Sequence, residues 1–454
     1  MKKVLALVMA AMMLLACCSA LAEAPEGYPA VVEGIDFGGA DVTIYDYWSG
    51  EGARKTDPTE EEQLQYDYRD WINKTYNVNL SQKQDGDWGS NATQMTNFTT
   101  SPDGSLRLYI IEPGSVASLV SGGVVAPVSD KWNAAERDFM TIGGKIYGLY
   151  AGNSEPRGCL YFNKRVLQEA GIDWNTIYDL QKEGKWTWAA FEDMLKTITR
   201  DTDNDGVNDI YGILGSGDDM YVCAVFSNGG SFFDFDDKGN LVIAAGSDNT
   251  LEALAWSKDI WNTYGYQQPA DGSWDYYKDA WKQGFCGFYM YQTYGGFNDN
   301  SEMADMADEW GCVAFPIGPK GDKYVTIISD NITVIPNVYD AETVGKLAYI
   351  YELWSSATPG YDDEFSWIGN KYNFTDERAV DETYAMLREP DHCVSDKVLY
   401  LGSVNDVEGQ DYLWNLGGST PAELLETKTP VWQGLLDTFN ASNDRAVKFT
   451  FSAQ

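Results

Sequence analysis

The clearest ligand spacing in the sequence lies in an acidic loop, DTDNDGVNDIYG. The first, third, fifth, seventh and ninth positions match the ligand positions of a calcium loop and are taken by Asp201, Asp203, Asp205, Val207 and Asp209. The last ligand of such a loop is a bidentate Glu, but Gly212 stands there. Two alternatives follow: a structural Ca²⁺ whose last ligand comes from elsewhere in the chain, or a solvated turn that Asp side chains stabilise unaided.

Catalytic chemistry has weaker support. The only histidine is His392, and the adjacent Cys393 is poorly placed to face it, so a Ser-His-Asp or Cys-His system is not expected. The sequence has no His and Cys cluster suited to zinc and no phosphate-binding G-x-x-x-x-G-K-[ST] loop. A glycoside hydrolase needs only two carboxylates across a cleft, which a chain with 69 acidic residues always offers. A secreted glycoside hydrolase therefore stays open as the alternative function.

Aromatic residues, 14% of the chain, offer a second kind of ligand chemistry. A Trp or Tyr ring can cover the C–H face of a pyranose, while Asp, Glu, Asn and Arg side chains hydrogen-bond the hydroxyls at its edge. The formal charge of −37 repels phosphate backbones and anionic lipids. Nucleic acid is therefore excluded as a partner, and a membrane surface is disfavoured.

The first residues have the composition of an export signal. Lys2 and Lys3 precede an apolar run from Val4 to Ala16, which is too short to span a bilayer. The run leads into LLAC, which resembles a bacterial lipobox whose cysteine, Cys17, becomes the lipid anchor. A competing cleavage after ALA would remove residues 1–22. Both alternatives export the protein, and the lipobox predicts a cell-surface lipoprotein on the outer face of the cytoplasmic membrane. That anchor would be its only attachment to the membrane.

Strand-like and helix-like segments alternate along the rest of the chain. Runs rich in β-branched and aromatic residues predict strands at residues 42–48, 108–111 and 159–162. Helices are predicted to begin at the caps Thr59, Thr187, Thr250, Asp340 and Thr420. Thr59 and Glu62 form a T-x-x-E capping box. Alternation on this scale predicts an α/β fold with largely parallel sheets.

Five segments, taken in order, resemble the bacterial extracellular solute-binding proteins of family 1, the binding components of ABC sugar importers. They are YFNKRVLQEAGI (161–172), KWTWAAFEDMLKTITRDTDNDGVNDIYGI (185–213), WKQGFCGFYMYQTYGGF (281–297), WGCVAFPIGPKGDK (310–323) and STPAELLETKTPVWQGLLDTFN (419–440). The segment SPDGSLRLYIIEP departs from the family pattern before the second strand.

The resemblance implies a type II periplasmic-binding-protein fold, in which two α/β lobes enclose a ligand cleft and crossing strands act as a hinge. Lobe 1 is expected at residues 40–150 and 320–365, and lobe 2 at residues 151–319 and 366–454. The crossings are expected near residues 147–157 and 315–319. In the family, the Asp-rich turn is a structural element of the second lobe.

The resemblance also implies a function without catalysis and without a required cofactor. The protein would capture a carbohydrate, preferably an oligosaccharide, by hinge closure and deliver it to the permease subunits of an ABC importer. It would act as a monomer. Candidate ligand contacts at strand ends and at positions where the family touches sugar are Trp48, Glu112, Asp219, Tyr221, Tyr294 and Trp414.

Overall fold

The computed structural model describes residues 24–442 except for 88, 129–139, 143–144, 150–155, 297–302, 329, 361–373, 375, 403–404 and 410–411. The predicted leader and Cys17 lie outside the described residues. Within the part that is described, no helix combines the length and hydropathy needed to cross a bilayer.

Strands and helices alternate as predicted. The strands are β1 (Ala40–Asp46), β2 (Val78–Gln84), β3 (Leu106–Ile111), β4 (Thr141–Ile142), β5 (Lys145–Ile146), β6 (Gly158–Asn163), β7 (Tyr211–Gly215), β8 (Phe233–Phe235), β9 (Leu241–Ile243), β10 (Cys286–Gln292), β11 (Trp310–Val313), β12 (Thr326–Ile328), β13 (Ile332–Val334) and β14 (Cys393–Ser395). The helices are α1 (Glu60–Thr75), α2 (Ser90–Thr100), α3 (Val116–Ser121), α4 (Lys164–Glu169), α5 (Asn175–Lys182), α6 (Trp188–Ile198), α7 (Gly217–Ser227), α8 (Asp248–Tyr264), α9 (Tyr276–Lys282), α10 (Ala341–Ser355), α11 (Ala385–Leu387) and α12 (Pro421–Ser442).

The first sheet has the strand order β13-β3-β1-β2. β1 lies parallel to β2 and β3, and only β13 runs antiparallel to its neighbour. Alternate side chains of β1, including Val42 and Ile44, are fully buried in a core that also contains Ile72 of α1 and Leu347 of α10. The sheet therefore places the carboxyl ends of β1 and β3 side by side.

The second sheet has the order β11-β6-β10-β7 and is mostly antiparallel. Only β10 and β7 run parallel. The expectation of largely parallel sheets is therefore wrong for this half of the molecule. Alternation of strands and helices does not determine strand direction, because β10 inserts between β6 and β7, which are consecutive in the sequence. Every residue of β6 is buried, as its apolar sequence predicts.

The chain passes from the first sheet to the second before β6, returns before β13, and joins the second half again after α10. On the first passage, Leu149 pairs with Thr333 of the first sheet, and Pro156 pairs with Ile328 just before β6 begins. The return was expected near residues 315–319, but Ile317 is still held to the second half: its N–H donates to Trp186 O at 3.0 Å. The return crossing instead follows β12. The Pro and Gly residues near Ile317 belong to a turn in which the Ile317 side chain is buried.

Local capping signals predicted most helix starts. The Thr59–Glu62 capping box is present, and the side chains of Thr187 and Asp340 accept backbone bonds as N-caps. The predicted cap at Thr250 is wrong, because Ser247 caps α8 and accepts from the Thr250 backbone N–H. The Thr250 hydroxyl instead donates to Ser231 O at 2.9 Å.

Candidate functional site

The loop after β1 presents an aromatic ring to solvent. The Asp46 carboxylate is buried and accepts hydrogen bonds from the Trp48 backbone N–H at 2.9 Å and from the Ser49 hydroxyl at 2.7 Å. These bonds fix the loop while the Trp48 side chain remains 69% exposed. β1 ends at Asp46, two residues before the predicted end at Trp48. A large exposed ring on a fixed backbone is suited to ligand contact.

Glu112, directly after β3, is a buried acid with spare acceptor capacity. Only 6% of its surface is exposed. One carboxylate oxygen accepts from the Ser115 hydroxyl. The other, Oε2, is buried and accepts no hydrogen bond from the described residues. A buried unsatisfied acceptor costs about 1–3 kcal/mol, so a hydroxyl-bearing ligand reaching this oxygen would recover that free energy.

Arg157 lies where the chain enters the second sheet. Its backbone N–H donates to Ile327 O at 2.9 Å, and its carbonyl accepts from the Thr293 N–H at 2.9 Å. Its guanidinium lies 5.6 Å from the centre of the Tyr294 ring, and Nη1 lies 3.4 Å from Gln292 Oε1. The crossing strand and the turn that carries Tyr294 therefore meet at this residue.

Tyr294 presents a second partly exposed ring, on the second half of the molecule. It lies in a short helical turn after β10, with 39% of its surface exposed. Its hydroxyl and that of Tyr291 form a hydrogen bond of 2.9 Å. The ring is thereby oriented while one part stays accessible, as ligand stacking requires.

Two acids at the start of α7 complete this side of the site. The Ser216 hydroxyl caps the helix by accepting from the Asp219 N–H. Asp219 is partly buried, and its pKa is raised to about 7. Burial is the main cause, and the charge of the neighbouring Asp218 is the second. Gln292 and Arg157 act in the opposite direction and lower the pKa. Near neutral pH, Asp219 can therefore donate or accept a ligand hydrogen bond.

The last two predicted contacts differ in accessibility. Trp414 is 56% exposed, and its indole N–H donates to Asp218 Oδ2 at 3.3 Å, so it lies beside the α7 acids. Tyr221 is only 7% exposed and belongs to the core. On a helix, a residue two positions from Asp219 points in a different direction. Its position is that of a packing residue.

Tyr47 and Asn331 lie beside the residues of the first sheet, and sequence reasoning missed both. The Tyr47 hydroxyl donates to Asn331 Oδ1 at 2.7 Å. The pKa of Tyr47 is raised to about 12, mainly by burial. The Asn331 bond and the Arg157 charge lower it, whereas the Glu112 charge raises it. Tyr47 thus lies near groups from both halves of the molecule.

The predicted residues therefore form two groups with Arg157 and Tyr47 between them. Trp48 and Glu112 belong to the first sheet, whereas Asp219, Tyr294 and Trp414 belong to the second half. No ring or hydrogen-bond contact joins Trp48 to the second group within the part of the chain that is described. Arg157 carried one sequence signal that could have been used, because it is the only Lys or Arg between Lys145 and Lys164.

The acidic loop brings three of its five predicted ligands together. One carboxylate oxygen from each of Asp201, Asp203 and Asp209 lies within 4.8 Å of the other two. Asp205 Oδ1 instead accepts the Val207 N–H at 2.8 Å. The loop is suited either to a cation or to a turn capped by its own side chains. It lies on the surface, outside the junction that Arg157 occupies.

The fold is shared with several solved proteins of low sequence identity. The GacH receptor of Streptomyces glaucescens, solved unliganded and with acarbose, is 14% identical, covers 88% of this chain and 99% of its own, and has a TM-score of 0.57. A substrate-binding protein from Listeria monocytogenes in complex with cycloalternan is 15% identical, with 89% and 98% coverage and a TM-score of 0.57. The maltose-binding protein MalE from Listeria monocytogenes is 16% identical, with 89% and 99% coverage and a TM-score of 0.56.

These likenesses confirm the predicted α/β fold of the type II periplasmic binding proteins. No curated protein sequence matches the chain significantly. A family model described as bacterial extracellular solute-binding protein matches residues 52–348, which include strands of both sheets. Since this match spans more than half of the sequence, the chain belongs to the family of bacterial extracellular solute-binding proteins.

Proposed function

We propose that the protein captures a carbohydrate, preferably an oligosaccharide, outside the cytoplasm and delivers it to the permease subunits of an ABC importer. The observation that carries the proposal is the arrangement of exposed rings and carboxylates around the junction of the two halves. Trp48 and Glu112 lie on one side, and Tyr294 and Asp219 on the other. Rings suit the C–H face of a sugar, and carboxylates suit its hydroxyls.

Hinge closure is part of this proposal, and the positions of these residues support it. Because Trp48 and Tyr294 come from different sheets, both can contact one ligand fully only when the two halves approach each other. Ligand binding would then favour the closed arrangement, which docks on the permease. The ligands of the similar solved proteins, acarbose, cycloalternan and maltose, support a carbohydrate ligand. The protein acts as a monomer in this proposal.

Binding without catalysis is favoured over glycoside hydrolysis. A hydrolase needs one acid and one nucleophile or base at a defined separation across the scissile bond. Asp218 and Asp219 are instead neighbours on one helix, where the Trp414 indole and Gln292 engage them. His392 places Nδ1 2.6 Å from Tyr324 O, in a structural contact. Membership of a family of binding proteins favours the same conclusion.

A thermal-shift screen of mono- and oligosaccharides tests the proposed function. A ligand that binds only the folded state stabilises it by about 2.7 kcal/mol at a hundredfold excess over Kd, so a matching glycan raises the melting temperature clearly. Oligosaccharides should give larger shifts than monosaccharides, because two aromatic surfaces are available. A complete glycan panel without any shift would contradict a carbohydrate ligand.

We also propose that the acidic loop holds a structural Ca²⁺ through Asp201, Asp203 and Asp209, with further oxygens from Asp205 and the Val207 carbonyl. Such binding would add stability to the folded state. EDTA should therefore lower the melting temperature, and Asp203→Ala should remove the difference between calcium and EDTA. Asp237→Ala, at an exposed turn residue, is the control that should keep it. Identical melting curves with calcium and with EDTA would leave only the turn.

The leader supports a further proposal, namely that Cys17 anchors the exported protein to the outer face of the cytoplasmic membrane. If the lipobox is used, mass spectrometry of the native protein should find an acylated Cys17 as the first residue. Cys17→Ser should then shift the protein from the membrane fraction to the medium. A mature chain that starts at Glu23 would contradict the anchor and indicate free secretion.

A further inference from the structure

Two acids outside the candidate site are buried against each other. Asp396 is 1% exposed and Glu408 is 0% exposed. Their side chains lie within hydrogen-bonding reach. Asp396 Oδ1 accepts the Val398 N–H at 3.0 Å, but Asp396 Oδ2 and both oxygens of Glu408 accept no hydrogen bond from the described residues.

Burying two ionised carboxylates next to each other would cost much free energy. Neither could donate a hydrogen bond, and both negative charges would be removed from water. One proton between them supplies the missing donor. Burial, followed by the Asp396 charge and the bond to Asp396, raises the Glu408 pKa well above its ordinary value, whereas the Asp396 pKa is raised by burial to about 6. Glu408 is therefore the proton donor and Asp396 the acceptor.

Few other charges reach this buried carboxyl pair. Lys397 favours the ionised form of Asp396, and its ammonium also lies 4.0 Å from Asp234 of β8. Tyr412 lies within reach of the Glu408 charge, and its backbone N–H donates to Glu408 O at 3.2 Å. The segment 113–121, which packs against residues 397–400, contains no charged residue. Within the described surroundings, a shared proton is therefore the group that can compensate the two carboxylates.

The pair lies in a segment that connects the main parts of the fold. β14 runs parallel to β12, the strand directly before the return crossing. Residues 397–400 pack against Pro113–Ser115 and α3, directly after Glu112. The Trp432 indole donates to Val407 O at 3.1 Å and ties the other end of the segment to α12. Loss of order in this segment would therefore affect β12 and the residues that follow Glu112.

We infer that Asp396 and Glu408 form a proton-sharing pair that keeps residues 393–402 and 405–409 docked on β12 and on the first half of the fold, and that this docking weakens as the pH rises. This response of the fold to pH does not depend on which ligand the cleft takes.

Proton linkage determines whether stability rises or falls with pH. Acids with a raised pKa in the folded state keep their proton when the unfolded chain has lost it, so the stability they contribute is complete below about pH 4 and is lost as the pH rises through the folded pKa. For each proton lost in this way, the unfolding equilibrium constant rises up to about tenfold per pH unit. Asp219 contributes the same trend with its pKa of about 7, so wild-type pH dependence alone does not isolate the pair.

Glu408→Gln separates the contribution of the Asp396–Glu408 pair from that of Asp219. The amide replaces the protonated carboxyl and donates to Asp396 without titrating. The melting temperature of this variant relative to wild type should rise between pH 5 and pH 8.5. Asp219→Asn serves as the background in which both proteins are compared. A melting-temperature difference that stays constant across this range would overturn the inference.

Hydrogen exchange of the wild type provides a second measurement that needs no variant. Protection factors of amides in residues 393–402 and 405–409 should fall between pH 5 and pH 8.5 by more than those of β6, whose residues are all buried. Asp396→Asn, the other partner, should reduce this fall. Equal pH responses of the two regions in wild type would contradict a proton-dependent segment.

Discussion

Replacing Trp48 by alanine is expected to weaken oligosaccharide binding by about 1–3 kcal/mol, and Tyr294→Ala should weaken it by a similar amount. Each change removes a ring from a different half of the site. Both rings are partly exposed, and their loops are fixed by Asp46 and by Tyr291, so the fold should survive. Isothermal titration calorimetry measures both affinities.

Tyr264→Ala is the matched aromatic control. Its ring lies near Lys196 and Glu192 at the end of α8, away from the residues of the junction. Binding to this variant should equal that of wild type. The double variant Trp48→Ala, Tyr294→Ala should lose about the sum of the two single effects if the rings contact separate parts of the ligand. Unchanged affinity in both single variants would leave the proposed function standing but refute this position for the site.

Trp186→Ala is expected to reduce the free energy of unfolding by about 3–5 kcal/mol, the usual cost of removing a large aromatic side chain from a core. Trp186 is fully buried, its ring stacks on Phe288 at 6.0 Å, and its indole N–H donates to Ala314 O at 2.8 Å. The substitution leaves both a cavity and an unpaired carbonyl next to β11. Denaturant titration followed by fluorescence and by circular dichroism measures the loss.

Trp414→Ala is the same substitution at an exposed position, and it should change the unfolding free energy by less than about 0.5 kcal/mol. The comparison separates the loss of a core residue from the loss of a tryptophan as such. Equal destabilisation by the two substitutions would contradict the placement of Trp186 at the centre of the second half.

Short-range features could be predicted from the sequence, because neighbouring residues determine them. The Thr59–Glu62 capping box and the Asp340 cap each need only residues within one helical turn. The error at Thr250 has the same origin: two hydroxyl residues three positions apart are equally suitable caps, and tertiary burial of Thr250 selects Ser247.

Long-range features could not be predicted in this way. The direction of β6 depends on where the first crossing enters the second sheet. The contact between Trp414 and Asp218 joins residues 196 positions apart, and that between Tyr47 and Asn331 joins residues 284 positions apart. No local pattern at these positions contains that information. Strand ends suggested Trp48 and Glu112, and the family resemblance suggested Asp219, Tyr221 and Tyr294 as ligand contacts. The helix turns Tyr221 into the core, which no local pattern shows.

We propose that the protein binds a carbohydrate at the junction of its two halves and releases it intact. The most direct test incubates the best glycan from the screen with the protein, determines the affinity by calorimetry and then analyses the recovered glycan by chromatography. We expect micromolar binding, about −8 kcal/mol, together with complete recovery of the uncleaved glycan. Products that accumulate with time, and that disappear in Glu112→Gln or Asp219→Asn, would contradict the account and establish the glycoside hydrolase.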